Sequence, residues 1–152
     1  MVVMIIGMIS SMAIPRISRG ASGAADVTLA ADLTVVRKAI LYFAAEHNGA
    51  FPGPTGARFA AGLTQYSDAT GQASVSRSAA YPFGPYLEAI PPCPVGPNRG
   101  DRKVLIDAVN SPPAANSDTG DGWVYNPNTG EFYANVGGVA QQGVTLISAL
   151  DD

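Results

Sequence analysis

The sequence is poor in charge and in the residue types that most enzyme and metal sites need. Of its 152 residues, 14% are charged, and one is a cysteine and one a histidine. A single cysteine excludes an intrachain disulfide, and a histidine-dependent catalytic triad would have to use His47. The formal net charge of -3 comes without a long basic run, so nucleic acid is not an expected partner. With no glycine-rich phosphate loop either, we expect a structural protein and not an enzyme.

Charge is missing altogether from residues 1–14. As a helix this apolar run reaches only about 21 Å, whereas a bilayer core is about 30 Å thick. Two interpretations follow: the run is the apolar region of a signal peptide, or the true start of the chain lies upstream. The signal peptide is less favoured, because no basic residue precedes the run and candidate cleavage sites at 21–25 follow Arg16 and Arg19. A buried core helix is disfavoured because a helix that is apolar all round needs a larger protein around it.

A second helix signal follows the apolar run. Large apolar residues recur at steps of four, three, four and three over residues 27–46, which is one face of an amphipathic helix. His47-Asn48-Gly49 marks its end, because glycine tolerates the left-handed cap conformation. We therefore predict one long helix from residue 1 to about residue 47, apolar in its front half and amphipathic in its back half. The residues predicted to face the core are Leu29, Leu33, Val36, Ile40 and Phe43.

The remaining chain predicts a small sheet. Short strands are expected at 104–106, 122–126 and 131–135, the last two joined by the turn-forming segment 127–130. Trp123 and Tyr125 point to one face, which we expect to cover the helix. A short helix is indicated near Phe59, Leu63 and Tyr66, and a further strand at 144–147. The predicted fold class is α+β: a long N-terminal helix packed on a small antiparallel β-sheet.

Three segments resemble one family. The sequence Val-Val-Met-Ile-Ile-Gly-Met-Ile-Ser-Ser-Met-Ala-Ile-Pro-Arg, at residues 2–16, resembles the N-terminal helix of type IV pilins and of type II secretion pseudopilins. Gly-Pro-Tyr-Leu at 84–87, followed by Ile-Pro, is similar to the segment between helix and sheet in pseudopilins. Gly-Trp-Val-Tyr-Asn-Pro-Asn-Thr-Gly-Glu at 122–131 is similar to the C-terminal hairpin of prepilin-type proteins.

The resemblance implies a pilin-like division of the chain. Residues 1–25 would be the transmembrane and assembly helix, and 26–152 the globular head, with the amphipathic half-helix at 26–48, an irregular region at 49–103 and the sheet region at 104–152. In the family further residues precede this start, and about seven more would lengthen the apolar helix to about 31 Å, enough to span a bilayer. We therefore favour a trimmed or mis-assigned start.

The same resemblance implies polymerisation through the apolar helix. Gly7 and Ser11 stand four residues apart, and small residues at this spacing let helices approach closely in lipid. Pro15 removes a backbone hydrogen bond and is expected to kink or locally melt the helix, or simply to end a membrane anchor. The expected assembly interface comprises Val2, Val3, Ile5, Ile6, Gly7, Ile9, Ser11, Ile14 and Pro15.

The function implied is that of a structural subunit of a type II secretion pseudopilus. Its expected partners are copies of itself in a helical filament, minor pseudopilins and inner-membrane secretion assembly proteins. The expected location is the bacterial inner membrane, crossed once, with the head in the periplasm or outside. The single cysteine favours the pseudopilus, because many type IV pilins close a C-terminal loop with a disulfide. The alternatives are a type IV pilus subunit, or a signal-anchored extracytoplasmic binding domain or hydrolase.

One metal site is also implied by the resemblance. Major pseudopilins bind calcium in a loop near the sheet through aspartates and backbone carbonyls. Asn116, Asp118 and Asp121 supply oxygen ligands of the type that calcium prefers. Their spacing matches neither the family motif nor an EF-hand loop, so a solvated turn is the alternative. His47 is expected to lie at the C-terminal end of the helix, where the helix dipole favours a histidine. Cys93 is expected to be a packing residue.

Overall fold

A computed structural model describes the backbone of residues 2–137 and the side chains of residues 23–137. Helix α1 spans Val2–Glu46 and continues through Pro15 and through the small-residue segment 20–25. The side chains of the predicted assembly interface at residues 2–15 and the strand predicted at 144–147 lie outside the described residues. The fold is α+β, with one long helix, a short helix and two small sheets.

The back half of α1 buries the stripe that its apolar spacing defines. Leu29, Leu33, Val36, Ile40 and Phe43 are at most 2% exposed. Each large apolar side chain taken out of water contributes about 1.5–3 kcal/mol, so this stripe is the main attachment of helix to head. The helix ends where Asn48 and Gly49 adopt positive φ angles of 55° and 83°, and the Gly49 amide donates to the carbonyl of Ala44 at 2.8 Å.

A short helix and a two-stranded sheet follow α1. Helix α2 spans Gly56–Thr64 and is capped by Thr55, whose hydroxyl accepts from the Arg58 amide. Phe59 and Leu63 are fully buried. Strands β1 (Tyr66–Ser67) and β2 (Ala73–Ser74) pair antiparallel. Tyr66 was expected on α2 but lies in β1, because the helix ends at Thr64 before reaching it.

The larger sheet has three strands in the order β3-β4-β5, namely Val104–Ile106, Trp123–Tyr125 and Phe132–Ala134. The prediction of an antiparallel sheet is wrong for one pair: β3 and β4 run parallel, while β4 and β5 form the antiparallel hairpin. The physical reason is the connection at residues 107–122, which includes the 3-10 turn Ser117–Thr119. It is long enough to return the chain to the starting end of β3, as parallel neighbours require.

The core lies between α1, α2 and one face of this sheet. Trp123, Tyr125 and Phe132 are fully buried there, and the ring of Phe59 lies 4.3 Å from that of Tyr125. The polar tips of the core aromatics are satisfied: the Trp123 indole N–H donates to the Pro91 carbonyl at 2.9 Å and the Tyr125 hydroxyl to the Pro52 carbonyl at 3.1 Å. Val124 lies on the opposite face, in a separate small cluster.

Candidate functional site

The candidate site is the side of α1 that faces away from the head. All of its side chains are exposed, and they follow the helix at steps of three and four residues, repeating every seven. We call this surface the outer face of α1. Its members are Ala24, Val27, Thr28, Ala31, Thr34, Val35, Lys38, Leu41, Tyr42 and Ala45.

The outer face is apolar where a solvated helix face is normally charged. Val27, Leu41 and Tyr42 are 72%, 63% and 63% exposed, and Val35 is 51% exposed. Within the described residues, these four are the majority of the large hydrophobic side chains that remain exposed. Lys38 is the one charged member of the face. Contiguous apolar surface of this kind marks an interaction site more often than an isolated exposed side chain does.

Small residues alternate with the large ones along the outer face. Ala24, Ala31 and Ala45 are separated by multiples of seven residues, with Lys38 at the remaining position of that series. Alanine at this spacing lets the backbone of a second helix approach closely, and a seven-residue apolar repeat is the pattern of a helix–helix seam. α1 is one continuous helix, so the outer face and the uncharged residues 2–14 belong to the same helix, separated by residues 15–23, which include Arg16 and Arg19.

Polar contacts fix how α1 is rotated on the head, and so keep the outer face outward. The Arg37 guanidinium donates twice to the carbonyl of Phe132 in β5, at 3.1 Å from Nε and 2.8 Å from Nη2. The same group lies 5.0 Å from the centre of the Tyr133 ring. A two-point contact of this kind defines an orientation as well as a distance.

His47 lies inside the head and not at an exposed helix end. Its side chain is 3% exposed and stacks on Phe43 with ring centres 3.8 Å apart. Nδ1 lies 2.7 Å from the Phe43 carbonyl and Nε2 lies 3.1 Å from the hydroxyl of Ser67. Ser67 is itself fully buried, so this serine–histidine pair presents no hydroxyl to solvent. His47 follows the last residue of α1 directly, at the helix end as expected, and there it is also a buried packing residue.

Cys93 is also buried, and its thiol lies 3.4 Å from the carbonyl of Val95. Burial raises the pKa of the Cys93 thiol, which disfavours the nucleophilic thiolate. A cleft of about 350 Å³ is lined by Phe43, His47 and Arg58, among others. None of these observations brings a reactive group to an accessible position.

The predicted calcium ligands form a turn in which oxygen atoms already accept hydrogen bonds. The Asn116 side-chain oxygen accepts from the Asp118 amide at 3.1 Å and so caps the 3-10 turn. Asp118 is exposed, and Asp121 turns its carbonyl towards two asparagine side chains. Within residues 23–137 no group of three histidine, cysteine or acidic side chains is arranged to hold a metal ion.

Sequence reasoning missed two kinds of contact, one that orients the outer face and one that holds the loops of the head. One is the Arg37 contact with β5, and the other is a set of asparagines, Asn98 and Asn135 among them, that bind loop carbonyls. Neither has a local pattern in the sequence, because each pairs residues that are far apart in the chain.

In the part of the chain whose side chains are described, no helix combines the length and the apolar character needed to cross a membrane. The predicted assembly interface at residues 2–15 is outside that part. No protein-family model, curated protein or solved structure matches the chain.

Proposed function

We propose that this chain is a pilin-like structural subunit that polymerises through α1, and that its filament is the pseudopilus of a type II secretion system. The observation that carries the proposal is the outer face of α1, an exposed and nearly uncharged surface on the same continuous helix as the uncharged residues 2–14. The head occupies one side of the helix and leaves the other side available to copies of the same chain.

Burial of the outer face supplies the driving force outside the bilayer. Val27, Val35, Leu41 and Tyr42 stay largely exposed in the isolated chain, and covering them with a neighbouring helix removes apolar area from water. In lipid that force is absent, and close packing at Gly7 and Ser11 takes its place. A head-to-tail contact that does not close into a ring yields a helical filament.

The choice of a pseudopilus over a type IV pilus rests on the number of cysteines. The single cysteine, Cys93, is buried in the core and has no second cysteine in the sequence with which to close a loop. The proposal places the subunit in the bacterial inner membrane before assembly, with its head on the periplasmic side. Its partners are then copies of itself, minor pseudopilins and the inner-membrane assembly proteins of the secretion system.

The test compares two exposed aliphatic positions, Leu41 and Val109, that lie on different surfaces. Leu41→Arg places a charge in the outer face, whereas Val109→Arg places one on a loop between β3 and β4, where Val109 is 88% exposed. We expect negative-stain electron microscopy after detergent removal to show filaments for the parent chain and for Val109→Arg, and none for Leu41→Arg. Thermal melting of both variants in detergent should match the parent, because neither position is buried.

Filaments that persist in Leu41→Arg would show that the outer face is not the assembly surface. A parent chain that stays monomeric on detergent removal, with residues 1–25 intact, would remove the filament proposal as a whole.

A further inference from the structure

Loop 116–121, the last part of the connection from β3 to β4, is closed around the side chain of Asn135. Asn135 follows β5 directly and is 1% exposed. Its side-chain oxygen accepts from the Asn116 amide at 2.7 Å. Its amide nitrogen donates to the carbonyls of Asn116 at 2.8 Å and Asp121 at 2.9 Å. Both ends of the loop are thus held by one buried amide group.

A second asparagine reaches the same loop from another segment. The side-chain nitrogen of Asn98 donates to the carbonyl of Ser117 at 2.8 Å and to that of Asp121 at 2.9 Å. The Asp121 carbonyl oxygen therefore accepts from both asparagines, and its two lone pairs are occupied. Two amide groups from separate parts of the chain meet three backbone carbonyls of one short turn.

Converging carbonyl oxygens are the arrangement that commonly binds calcium in a protein loop. Here each of these carbonyls instead accepts from an amide NH₂ group, whose hydrogens carry partial positive charge. A cation at this position would have to displace both asparagines and leave the donors of buried Asn135 and half-buried Asn98 without acceptors, which is costly. The donor set of this loop therefore does not fit the calcium site that the resemblance to major pseudopilins implies.

We propose that the side-chain amides of Asn98 and Asn135 take the place of a cation in loop 116–121, so that the head folds and stays folded without calcium. The aspartates of the turn then have no ligand role. Asp118 donates its backbone amide to the Asn116 cap, and Asp121 contributes its backbone carbonyl. The inference concerns the head alone and holds whether or not the chain polymerises.

The test converts an amide into a carboxylate of nearly the same shape. In Asn98→Asp a negative oxygen faces the carbonyls of Ser117 and Asp121, where the parent has a donor. Asn98→Ala removes the donor without adding charge. We expect full-length parent chain in mild detergent to melt at the same temperature in chelator and in millimolar calcium. We expect Asn98→Asp in chelator to melt below Asn98→Ala, which itself should lose about 5 °C.

Calcium should then raise the melting temperature of Asn98→Asp and leave that of Asn98→Ala unchanged. If Asn98→Asp does not fold in chelator, the recovery of a folded circular dichroism spectrum on adding calcium is the equivalent result. Asn128→Asp is the matched control, because the Asn128 amide donates to a single exposed carbonyl, that of Ala108, and should gain no response to calcium.

A parent chain that melts at a higher temperature in calcium would overturn the inference. An Asn98→Asp variant that melts in chelator at the same temperature as Asn98→Ala would also overturn it. So would an Asn98→Asp variant whose melting temperature is the same in calcium as in chelator. Each of these results would mean that the amides do not occupy a cation-like position.

Discussion

The Tyr86 hydroxyl donates a hydrogen bond to the carboxylate of Glu46, the last residue of α1. The Tyr86 ring also packs edge-on against Phe43, with ring centres 5.8 Å apart. The backbone amide of Tyr86 donates to the carbonyl of Leu63 at the end of α2 at 2.9 Å. One residue thus joins both helices to the segment that leads towards the larger sheet, so the end of α1 is held at a defined place on the head.

Removing this hydroxyl should destabilise the head in a pH-dependent way. Burial, together with the hydrogen bond to Glu46, raises the pKa of the Tyr86 phenol. A raised folded-state pKa gives stability that is complete below the unfolded pKa of about 10 and is lost as pH rises above it. We expect Tyr86→Phe to lower the free energy of unfolding by about 1 kcal/mol at neutral pH, and the difference to shrink above about pH 10.

Urea unfolding of the parent chain and Tyr86→Phe across this pH range measures the effect. Tyr125 also has a phenol whose pKa is raised by burial, but it is present in both proteins and cancels in the difference. A difference that stays constant from neutral to alkaline pH would contradict the assignment to Tyr86.

Acid should loosen the loop that follows β3. Burial would raise the pKa of Asp107, but hydrogen bonds from the Ala114 amide, the Asn110 side chain and amide, and the Val109 amide outweigh it and lower the pKa to about 2. A lowered pKa gives stability that is present above the unfolded value and lost as pH falls towards the folded one. We expect this contribution to disappear between about pH 4 and pH 2.

Asp107→Asn should therefore be less stable than the parent at neutral pH, and the gap should narrow in acid. Chemical denaturation at several pH values checks this, with Asp118→Asn as the control, because Asp118 is exposed on the neighbouring loop. Equal acid sensitivity in the parent and in Asp107→Asn would disprove the prediction.

Neighbouring residues on α1 test the rotation of the helix. Ile40 is 1% exposed and Leu41 is 63% exposed. Truncating a buried isoleucine leaves a cavity, so Ile40→Ala should cost about 2–5 kcal/mol, whereas Leu41→Ala should stay within about 0.5 kcal/mol. Urea unfolding in detergent gives both values. Similar losses for the two variants would mean that the helix is rotated differently on the head.

The Arg37 contact predicts a difference between two basic residues. Arg37→Lys keeps the charge but loses the fork that donates twice to the Phe132 carbonyl, so we expect a loss of about 1 kcal/mol. Lys38→Ala, on the exposed outer face next to it, should change the free energy of unfolding little. If Arg37→Lys unfolds at the same urea concentration as the parent, the two-point contact contributes nothing.

Much of the architecture follows from local sequence pattern. The spacing of the apolar residues from Leu29 to Phe43 is enough to place the helix and its buried side. A period near 3.6 residues that continues over a segment of this length indicates an amphipathic helix. The strands at Val104–Ile106, Trp123–Tyr125 and Phe132–Ala134 lie within or at the expected segments. The turn between the last two carries the residue types that turns require.

Other features depend on contacts that no local pattern encodes. The direction of β3 relative to β4 depends on the path of the connection at residues 107–122. The three-residue apolar run of β3 predicts a strand but does not indicate whether it pairs parallel or antiparallel. His47 is buried because Ser67 and Phe43 offer partners to both ring nitrogens, one of them twenty residues away. Asn98 lies in a segment expected to be irregular and Asn135 at the end of a predicted strand, and no local pattern shows that the fold brings them to one turn.

Buried asparagines stand at both ends of the β4–β5 hairpin, since Asn126 is 2% exposed and Asn135 is 1% exposed. Asn126 donates to the carbonyl of Asn110 at 2.7 Å, and Asn135 holds Asn116, so the surface segments on either side of the hairpin are tied to it. Glycine- and serine-rich surface segments are usually the first places where proteases cut, because they open independently. Here opening either segment requires exposing a buried amide, so these two segments should resist nicking until the hairpin itself comes apart.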